Sequence, residues 1–382
     1  MSVDENLVRS ALAAVQDPQL HRSIVELGMV RRLSIRRKRV EVLVARLLPD
    51  SPTERLEADV RAALLAVPGV EGVRIDLDDL DDDERTTIRQ RLHGDPGATA
   101  GQAPVHGHAE GRAVSFADAG SRTRVLLIAS GKGGVGKSSV TVNVAISLAR
   151  LGRRVAVVDA DVWGFSIPAM LGIDKPPSVL DDSMIIPPQA HGISVASIGF
   201  FVREDQPVVW RGPMLHKALE QFLTDFYWGE PDYLVVDLPP GTGDISLSLA
   251  GFLPRSEAYV VTTPQPAAQR VAQRAGLMFQ SPQVKIPVHG VIENMSWFTG
   301  DDGTRYELFG SGGGDGLAER LGAPLIGKVP LVPALREGGD VGIPIVVSEP
   351  AGEAAVAFAE IARRIDEELA PTRRRHRDLK IV

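Results

Sequence analysis

The spacing of apolar and polar residues in the first ninety positions changes from a helical period to a strand period and back. Apolar side chains recur on one helical face near the start, and alternation with Arg and Lys follows, as in a β-hairpin. The pattern predicts helices over residues 4–15 and 52–66, and strands over 30–35, 40–47 and 72–77. We therefore expect a compact, small α+β domain over residues 1–90.

A change of composition separates this part from the rest of the chain. Residues 76–84 contain six aspartates and one glutamate, and residues 93–121 are rich in Gly, Ala, Ser and Pro with little periodicity. Such a composition is typical of a linker. The sequence predicts a domain boundary there, with a flexible linker over residues 91–121.

Short apolar runs with helical patterns between most of them characterise the remaining sequence. Runs of this kind are typical of strands buried on both faces of a sheet. They lie at residues 125–129, 155–158, 193–198, 233–236, 258–262, 288–291 and 325–329. This order predicts an α/β domain over residues 122–370, with a doubly wound, mostly parallel sheet, followed by a basic tail over residues 371–382.

Composition narrows the possible chemistry. The chain has no cysteine, which excludes disulfides, a cysteine nucleophile and any iron–sulfur cluster held by its own thiolates. The net charge of −7 argues against nucleic acid and anionic membranes as partners. The polar, acidic start and the lack of a long apolar run lead us to expect a cytoplasmic protein.

A phosphate-binding motif follows the first strand of the larger domain. The segment Gly131-Lys132-Gly133-Gly134-Val135-Gly136-Lys137-Ser138 satisfies G-x-x-x-x-G-K-[ST] and precedes a predicted helix. Its backbone amides are expected to surround phosphates, while Lys137 pairs with phosphate oxygens and Ser138 offers a hydroxyl to Mg²⁺. The sequence thus predicts binding of ATP and magnesium.

A second lysine, Lys132, lies five residues before Lys137 at the front of this loop. It is either a solvated surface residue or a group that reaches across a dimer interface to the partner's phosphates. The second role resembles that of an arginine finger supplied in trans. It predicts dimers that form with nucleotide.

Carboxylates follow two further strands at the ends where ligands collect in open α/β sheets. Asp159 suits a magnesium shell, and Asp161 suits the positioning of an attacking water. Asp237 ends another strand and is also a candidate magnesium residue, and the amide of Gly241 could contact the γ-phosphate. Each carboxylate could instead be a helix cap or a strand-end turn residue.

These motifs together carry a family resemblance. The forward lysine with Asp159, Asp161 and Asp237 resembles the deviant Walker A ATPases, which include MinD, ParA and ArsA proteins. Finer motifs resemble the Mrp/ApbC branch, the iron–sulfur cluster carrier ATPases. They are Asp159–Pro168, Trp210–Met214, Asp237–Asp244, Thr262–Gln265, Ile292–Ser296, Phe309–Gly314 and Arg336–Asp340. Residues 17–28 resemble the PaaD-like domain that is often fused ahead of such ATPases.

The resemblance implies an ATP-hydrolysing homodimer that holds a cluster at the subunit interface and passes it to apoproteins. By position, Lys132, Lys137 and Ser138 would bind phosphate and magnesium, and Asp161 would hold the water. Asn294 would face the adenine base, although an asparagine after a strand could equally cap a turn.

The chain departs from the family at the cluster site. Where relatives have Cys-x-x-Cys between the Glu-Asn-Met-Ser and Phe-Gly motifs, this chain has Gly300 and Gly303. Glycine cannot ligate iron, and the hard carboxylates of Asp301 and Asp302 are poor substitutes for thiolates. The small domain likewise has Ser51 where relatives often have a cysteine.

Three functional hypotheses remain open at this point. In the first, the chain is an ATPase of iron–sulfur cluster assembly. It would hold a cluster through unusual ligands or a partner's thiolates, or act only as a nucleotide-dependent adaptor. Alternatively, it is a nucleotide-switched, dimeric positioning or adaptor ATPase of the MinD/ParA type with no cluster, or a scaffold that has lost hydrolysis. For a positioning role, the helix over 351–369 resembles a docking or core helix more than a membrane helix, and the basic run Arg373–Arg377 is most simply a solvated terminus. His106 and His108 form a close pair in the linker, where metal binding is not expected.

Overall fold

The computed structural model describes residues 3–49, 53–93, 114–118, 120–181, 184–202, 212–369 and 371. Ser51, His106, His108 and most of the predicted linker and tail lie outside these residues. The chain divides into two compact units. One unit comprises residues 1–111 and 178–186, and the other comprises residues 112–177 and 187–382.

The smaller unit is an α+β fold around a three-stranded sheet, in the order β1 (Val30–Arg36), β2 (Arg39–Arg46) and β3 (Gly72–Asp79). β1 and β2 form an antiparallel hairpin, and β2 pairs with β3 in parallel. Val40, Val42 and Val44 of β2 are buried, as are Val60 and Leu64 of the helix after it. The elements are α1 (Glu5–Ala14), α2 (Ile24–Leu27), β1 (Val30–Arg36), β2 (Arg39–Arg46), α3 (Glu54–Leu65), β3 (Gly72–Asp79) and α4 (Asp82–His93).

The acidic run at residues 76–84 is part of this fold instead of its end. β3 continues to Asp79, and Asp81 caps α4 by accepting a hydrogen bond from the amide of Glu84 at 2.8 Å. The Glu84 carboxylate accepts the amide of Asp81 at 2.9 Å in return. This reciprocal capping box explains why acidic residues begin a helix here.

A short hairpin from the middle of the sequence also belongs to the smaller unit. Its strands are β6 (Ser178–Asp181) and β7 (Met184–Ile186), and β6 contacts α4. Leu180, Met184 and Ile186 are buried. Nothing in the pattern of the sequence indicates this assignment.

The larger unit contains an eight-stranded sheet. Its strands are β4 (Arg124–Ser130), β5 (Val155–Asp159), β8 (Gln189–Ala190), β9 (Ile193–Ser197), β10 (Tyr233–Asp237), β11 (Glu257–Thr262), β12 (Val288–Asn294) and β15 (Leu325–Val329). Their order is β15-β12-β11-β4-β10-β5-β9-β8, and only β8 is antiparallel. A separate hairpin is formed by β13 (Phe298–Thr299) and β14 (Arg305–Tyr306). The seven predicted strands and their parallel arrangement are confirmed.

Helices lie between most of these strands, as expected of parallel neighbours, and the last three helices follow the final strand. They are α5 (Lys137–Arg150), α6 (Ile167–Met170), α7 (Gly212–Thr224), α8 (Asp244–Phe252), α9 (Pro266–Gln280), α10 (Gly313–Leu321), α11 (Pro333–Asp340), α12 (Ile345–Ser348) and α13 (Glu353–Arg363). Short 3₁₀ turns lie at Ser115–Ala117 and Ile198–Phe201. The central strands are buried along their whole length, which explains their continuous apolar runs.

The last helix belongs to the core of the larger unit. α13 packs against α5 and β15, and a π-helical turn, Arg364–Glu368, continues it. Phe358, Ile361 and Ile365 are fully or almost fully buried. This agrees with the core interpretation of the predicted helix. No helix among the described residues is long and apolar enough to cross a bilayer.

Candidate functional site

The phosphate-binding motif forms the turn between β4 and α5 at the carboxyl edge of the sheet. Gly134 and Gly136 both have φ of +78°, a left-handed conformation that favours glycine. Gly131 faces α9 so closely that a Cβ would lie 2.1 Å from the backbone nitrogen of Ala272. Because of these constraints, only glycine fits the turn at these places.

The amide groups of this loop are available to a ligand. Those of residues 133–138 donate to no backbone acceptor in the described part of the chain outside regular helix and strand bonding. They lie at the N-terminus of α5, where the helix dipole also favours an anion. The loop can therefore bind a phosphate chain.

One carboxylate organises the polar side chains beneath the loop. Asp237 is fully buried at the end of β10, and its Oδ2 accepts from Lys137 Nζ at 2.6 Å and from Ser138 Oγ at 2.7 Å. Its Oδ1 accepts from Thr141 Oγ1 at 2.6 Å. The structure thus brings together three predicted residues and adds Thr141, one helical turn after Lys137.

Asp161 lies on the other side of the same lysine. Its Oδ2 is 3.5 Å from Lys137 Nζ. Burial raises the pKa of the Asp161 carboxyl, and the nearby Lys137 ammonium opposes that rise. Asp161 also lines the cavity described below, and its role in positioning water stays a prediction.

Asp159, at the end of β5, has hydrogen-bond partners outside the phosphate-binding loop. Its Oδ2 accepts from Ser197 Oγ at 3.0 Å, and its carboxylate also accepts the amides of Asp161 and Ile167. Burial and the charge of Asp237 raise the pKa of Asp159 to about 7. These contacts support the segment that carries Asp161, and the proposed magnesium contact of Asp159 stays a prediction.

Lys132 is half-buried at the front of the loop. Its Nζ lies 3.4 Å from Oε1 of Gln265, at the start of α9, and the side chain lines the cavity. A long, weak contact of this kind leaves the ammonium group able to take another partner.

A cavity of about 720 Å³ opens in front of the loop. Lys132, Gly133, Gly134, Gly136, Lys137, Ser138 and Asp161 line it on one side. Trp163, Met170, Leu215, Leu219 and Ile245 form an apolar wall, where His216 Nδ1 also lies 3.1 Å from Ser248 Oγ. No motif in the sequence indicated Thr141, Ser197 or His216, because their positions depend on tertiary packing.

Several predicted ligand residues do not line this cavity. Gly131 and Val135 are buried within the loop, and Asn294 donates to the Val135 carbonyl. The amide of Gly241 donates to the carbonyl of Ser130 at 2.8 Å. A contact between Gly241 and the γ-phosphate would require exchange of that hydrogen bond, so it stays a prediction.

The segment from Gly300 to Gly303, where the resemblance implies a cysteine pair, is a closed turn. The amide of Gly300 donates to the Thr304 carbonyl, and that of Gly303 donates to the Gly300 carbonyl, both at 2.9 Å. Asp302 accepts from the amide and hydroxyl of Thr304, which lowers the pKa of its carboxyl. Its carboxylate is engaged within the turn. Among the described residues, no group of three or more His, Asp or Glu could hold a metal ion.

Known proteins with similar sequences include P-loop NTPases, in agreement with the phosphate-binding loop described above. Residues 121–366 match the ParA family of NUBPL iron-transfer P-loop NTPases, and residues 5–77 match an iron-sulfur cluster assembly protein family. The chain is 45% identical over 367 residues to an iron-sulfur cluster carrier protein of Mycobacterium leprae, covering 93% of this chain and 92% of that protein.

Further relatives extend this similarity. A carrier protein of Synechocystis is 40% identical over 365 residues, covering 94% of this chain and 96% of its own. A solved nucleotide-binding protein from Archaeoglobus fulgidus, in complex with ADP, is 34% identical with a TM-score of 0.53 and covers 62% of this chain and 91% of its own. The chain belongs to the family of NUBPL iron-transfer P-loop NTPases, and carries the iron-sulfur cluster assembly domain at its N-terminus.

Proposed function

We propose that this chain is a magnesium-dependent ATPase that serves iron–sulfur cluster delivery and relies on partners for the cluster ligands. The observation that carries the proposal is the loop at 131–138, in which Lys137 and Ser138 converge on Asp237 beside free backbone amides. Its place in a family with cluster carriers supports the second part.

Binding of ATP exchanges the partners of Lys137. The triphosphate enters along the amides of the loop, and Lys137 moves from Asp237 to phosphate oxygens. Ser138 and Asp237 together present a hydroxyl and a carboxylate, oxygen groups that suit Mg²⁺. When bound there, magnesium would neutralise charge on the phosphates.

Hydrolysis uses the residues at the mouth of the site. Asp161 orients the water for attack on the γ-phosphate, since its carboxylate lies close to Lys137 and faces the cavity. Lys132 contacts the phosphates of a second subunit, so the active form is a homodimer. Such a contact stabilises charge in the transition state.

Cluster delivery without thiolates requires another source of ligands. The chain has no cysteine, and Asp302 is held within its own turn. Apoprotein targets or assembly partners therefore provide the sulfur ligands, and ATP turnover controls their association with this chain. Such a mechanism retains a role in cluster delivery, as in the carrier family, and requires no cysteine in this chain.

One purified sample tests both parts. Phosphate release from MgATP is measured, and iron is determined after anaerobic incubation with iron and sulfide. We expect hydrolysis that disappears in Lys137→Ala, and no bound iron or charge-transfer absorption. Absence of hydrolysis would contradict the ATPase, and stoichiometric iron in the wild type would contradict the use of partner ligands.

A second candidate is a nucleotide-switched adaptor of the positioning type with no part in cluster delivery. The absence of cysteine favours it. Co-sedimentation with anionic vesicles or with DNA, with and without ATP, tests this alternative. ATP-dependent sedimentation would favour it, whereas transfer of a cluster between partner proteins that depends on this chain would exclude it.

A further inference from the structure

Asn294 ends β12 directly beneath the phosphate-binding loop. Its Nδ2 donates to the backbone carbonyl of Val135 at 2.9 Å. The side chain is almost fully buried, and it does not line the cavity. Its one hydrogen bond within the described residues therefore goes to the loop.

The same amide lies against Gly136, a glycine of the loop with a left-handed backbone conformation. A Cβ at Gly136 would approach Asn294 Nδ2 to 2.2 Å, and Gly136 has φ of +78°. The asparagine thus occupies the space that a side chain at this position would need. It fixes the turn immediately before Lys137, where α5 begins.

Neighbouring residues make this support rigid. Glu293 accepts hydrogen bonds from the hydroxyl of Ser296 and from the amide of Gly314, at the start of α10. Met295 has φ of +58°, an uncommon conformation for a non-glycine residue, and the amide of Ser296 donates to Val329 on the adjacent strand. Asn294 is therefore held between two anchored residues.

The two polar atoms of the Asn294 side-chain amide differ in their hydrogen bonding. Oδ1 of Asn294 is buried and has no hydrogen-bond partner among the described residues. Leaving a buried acceptor unpaired is unfavourable. The hydrogen bond from Nδ2 to the loop therefore has to offset the cost of the unpaired Oδ1.

We propose that Asn294 is a positioning residue, which holds the Val135–Gly136 turn in the shape that binds phosphates. The inference rests on the proposed nucleotide site and deepens it. Its consequence is that Asn294 affects every ligand with a phosphate chain, whatever base that ligand carries. A residue that recognised adenine would affect adenine nucleotides only.

A ligand without a base separates these two roles. Affinities of the full chain for MgATP and for magnesium tripolyphosphate are measured by calorimetry for the wild type and for Asn294→Ala. We expect both affinities to fall by the same factor, about three- to tenfold, the loss of one hydrogen bond. A loss confined to ATP, or no loss for either ligand, would overturn the inference.

Two controls keep the test interpretable. Asn143 is another buried asparagine, whose Nδ2 donates to the Ser139 carbonyl in α5 and whose Oδ1 accepts the amide of Val346. Asn143→Ala should lower the thermal midpoint of unfolding, while the affinity for ATP stays within twofold of the wild type. Gly136→Ala should be non-additive with Asn294→Ala, because both disturb one contact. Additive losses would contradict the inference.

The proposed function and this inference fail in different ways. A wild-type chain that binds neither ligand would refute the nucleotide site, and the inference with it. Wild-type binding that Asn294→Ala leaves unchanged would refute the inference alone.

Discussion

Nζ of Lys137 lies 2.6 Å from Oδ2 of Asp237, and the side chains of both residues are buried. The same oxygen accepts the hydroxyl of Ser138, so one carboxylate engages two side chains that the loop would turn towards phosphate and magnesium. Asp237 thus compensates the charge of a lysine whose side chain is almost fully buried.

Removal of that lysine should affect both catalysis and stability. Lys137→Ala leaves Asp237 buried without its cation, and we expect the free energy of unfolding of the nucleotide-free chain to fall by about 3 kcal/mol. Phosphate release should fall to background. Urea denaturation and a phosphate assay measure the two effects. The exposed Lys285, changed to alanine, serves as the control and should alter neither.

Substitution of Lys132 should affect hydrolysis without affecting stability. Because its contact with Gln265 is long, we expect Lys132→Ala to change the free energy of unfolding by less than about 0.5 kcal/mol, and to lower turnover at least about a hundredfold. Gln265→Ala should retain hydrolysis.

Mixed dimers test whether Lys132 acts in trans. Neither Lys132→Ala nor Lys137→Ala subunits should hydrolyse ATP alone. A mixture of the two contains dimers with one complete site, so phosphate release should reappear. If the mixture stays inactive although the subunits exchange, Lys132 does not act on the partner's nucleotide.

Cysteines at the two turn glycines should give the chain an iron site. We expect Gly300→Cys combined with Gly303→Cys to bind iron and sulfide under anaerobic conditions, with charge-transfer absorption that the wild type lacks. The positive φ of Gly303 and the close approach of Asp302 to position 300 should lower stability by about 1–3 kcal/mol. Serine at both positions introduces the same strain without thiolates and should remain iron-free.

Asp366 should make the larger unit sensitive to acid. Burial alone would raise the pKa of its carboxyl, but hydrogen bonds from Arg153 and Tyr233 outweigh that effect and lower it. A pKa that is lower in the folded than in the unfolded chain contributes stability above the unfolded value, near 4, and loses it as pH falls further.

The measurement is urea denaturation of the wild type and Asp366→Asn between pH 3 and pH 7. The variant should lose about 1 kcal/mol at pH 7, the value of a charged hydrogen bond in a partly solvated position. The two proteins should become similar below about pH 4. A constant difference across this range would contradict the assignment.

Local sequence patterns were sufficient to predict the parallel sheet and the phosphate-binding loop. Continuous apolar runs identify strands buried on both faces, and a glycine motif before a helix identifies the phosphate site wherever it occurs. Lys137, Ser138 and Asp237 could be predicted together because parallel strands place their carboxyl ends at one edge of the sheet.

Contacts between distant parts of the chain could not be predicted in this way. The hydroxyl of Ser197 meets Asp159, and the amide of Asn294 meets Val135, across 38 and 159 residues of sequence respectively. Each side chain has a plausible local role as a cap or a turn residue, and only packing selects the actual partner. The capping of α4 by Asp81 was missed for a different reason, since charge density obscured a helix start.

The hairpin β6–β7 affects how this protein can be dissected. Because the chain leaves the smaller unit after residue 111 and contributes residues 178–186 to it later, that unit is discontinuous in sequence. A fragment ending near residue 93 would lack the segment that contains the buried Leu180 and Met184. Expression trials with such a fragment would therefore report on a truncated fold. A circularly permuted fragment that joins residues 178–186 to the smaller unit is a better choice for studying that unit alone.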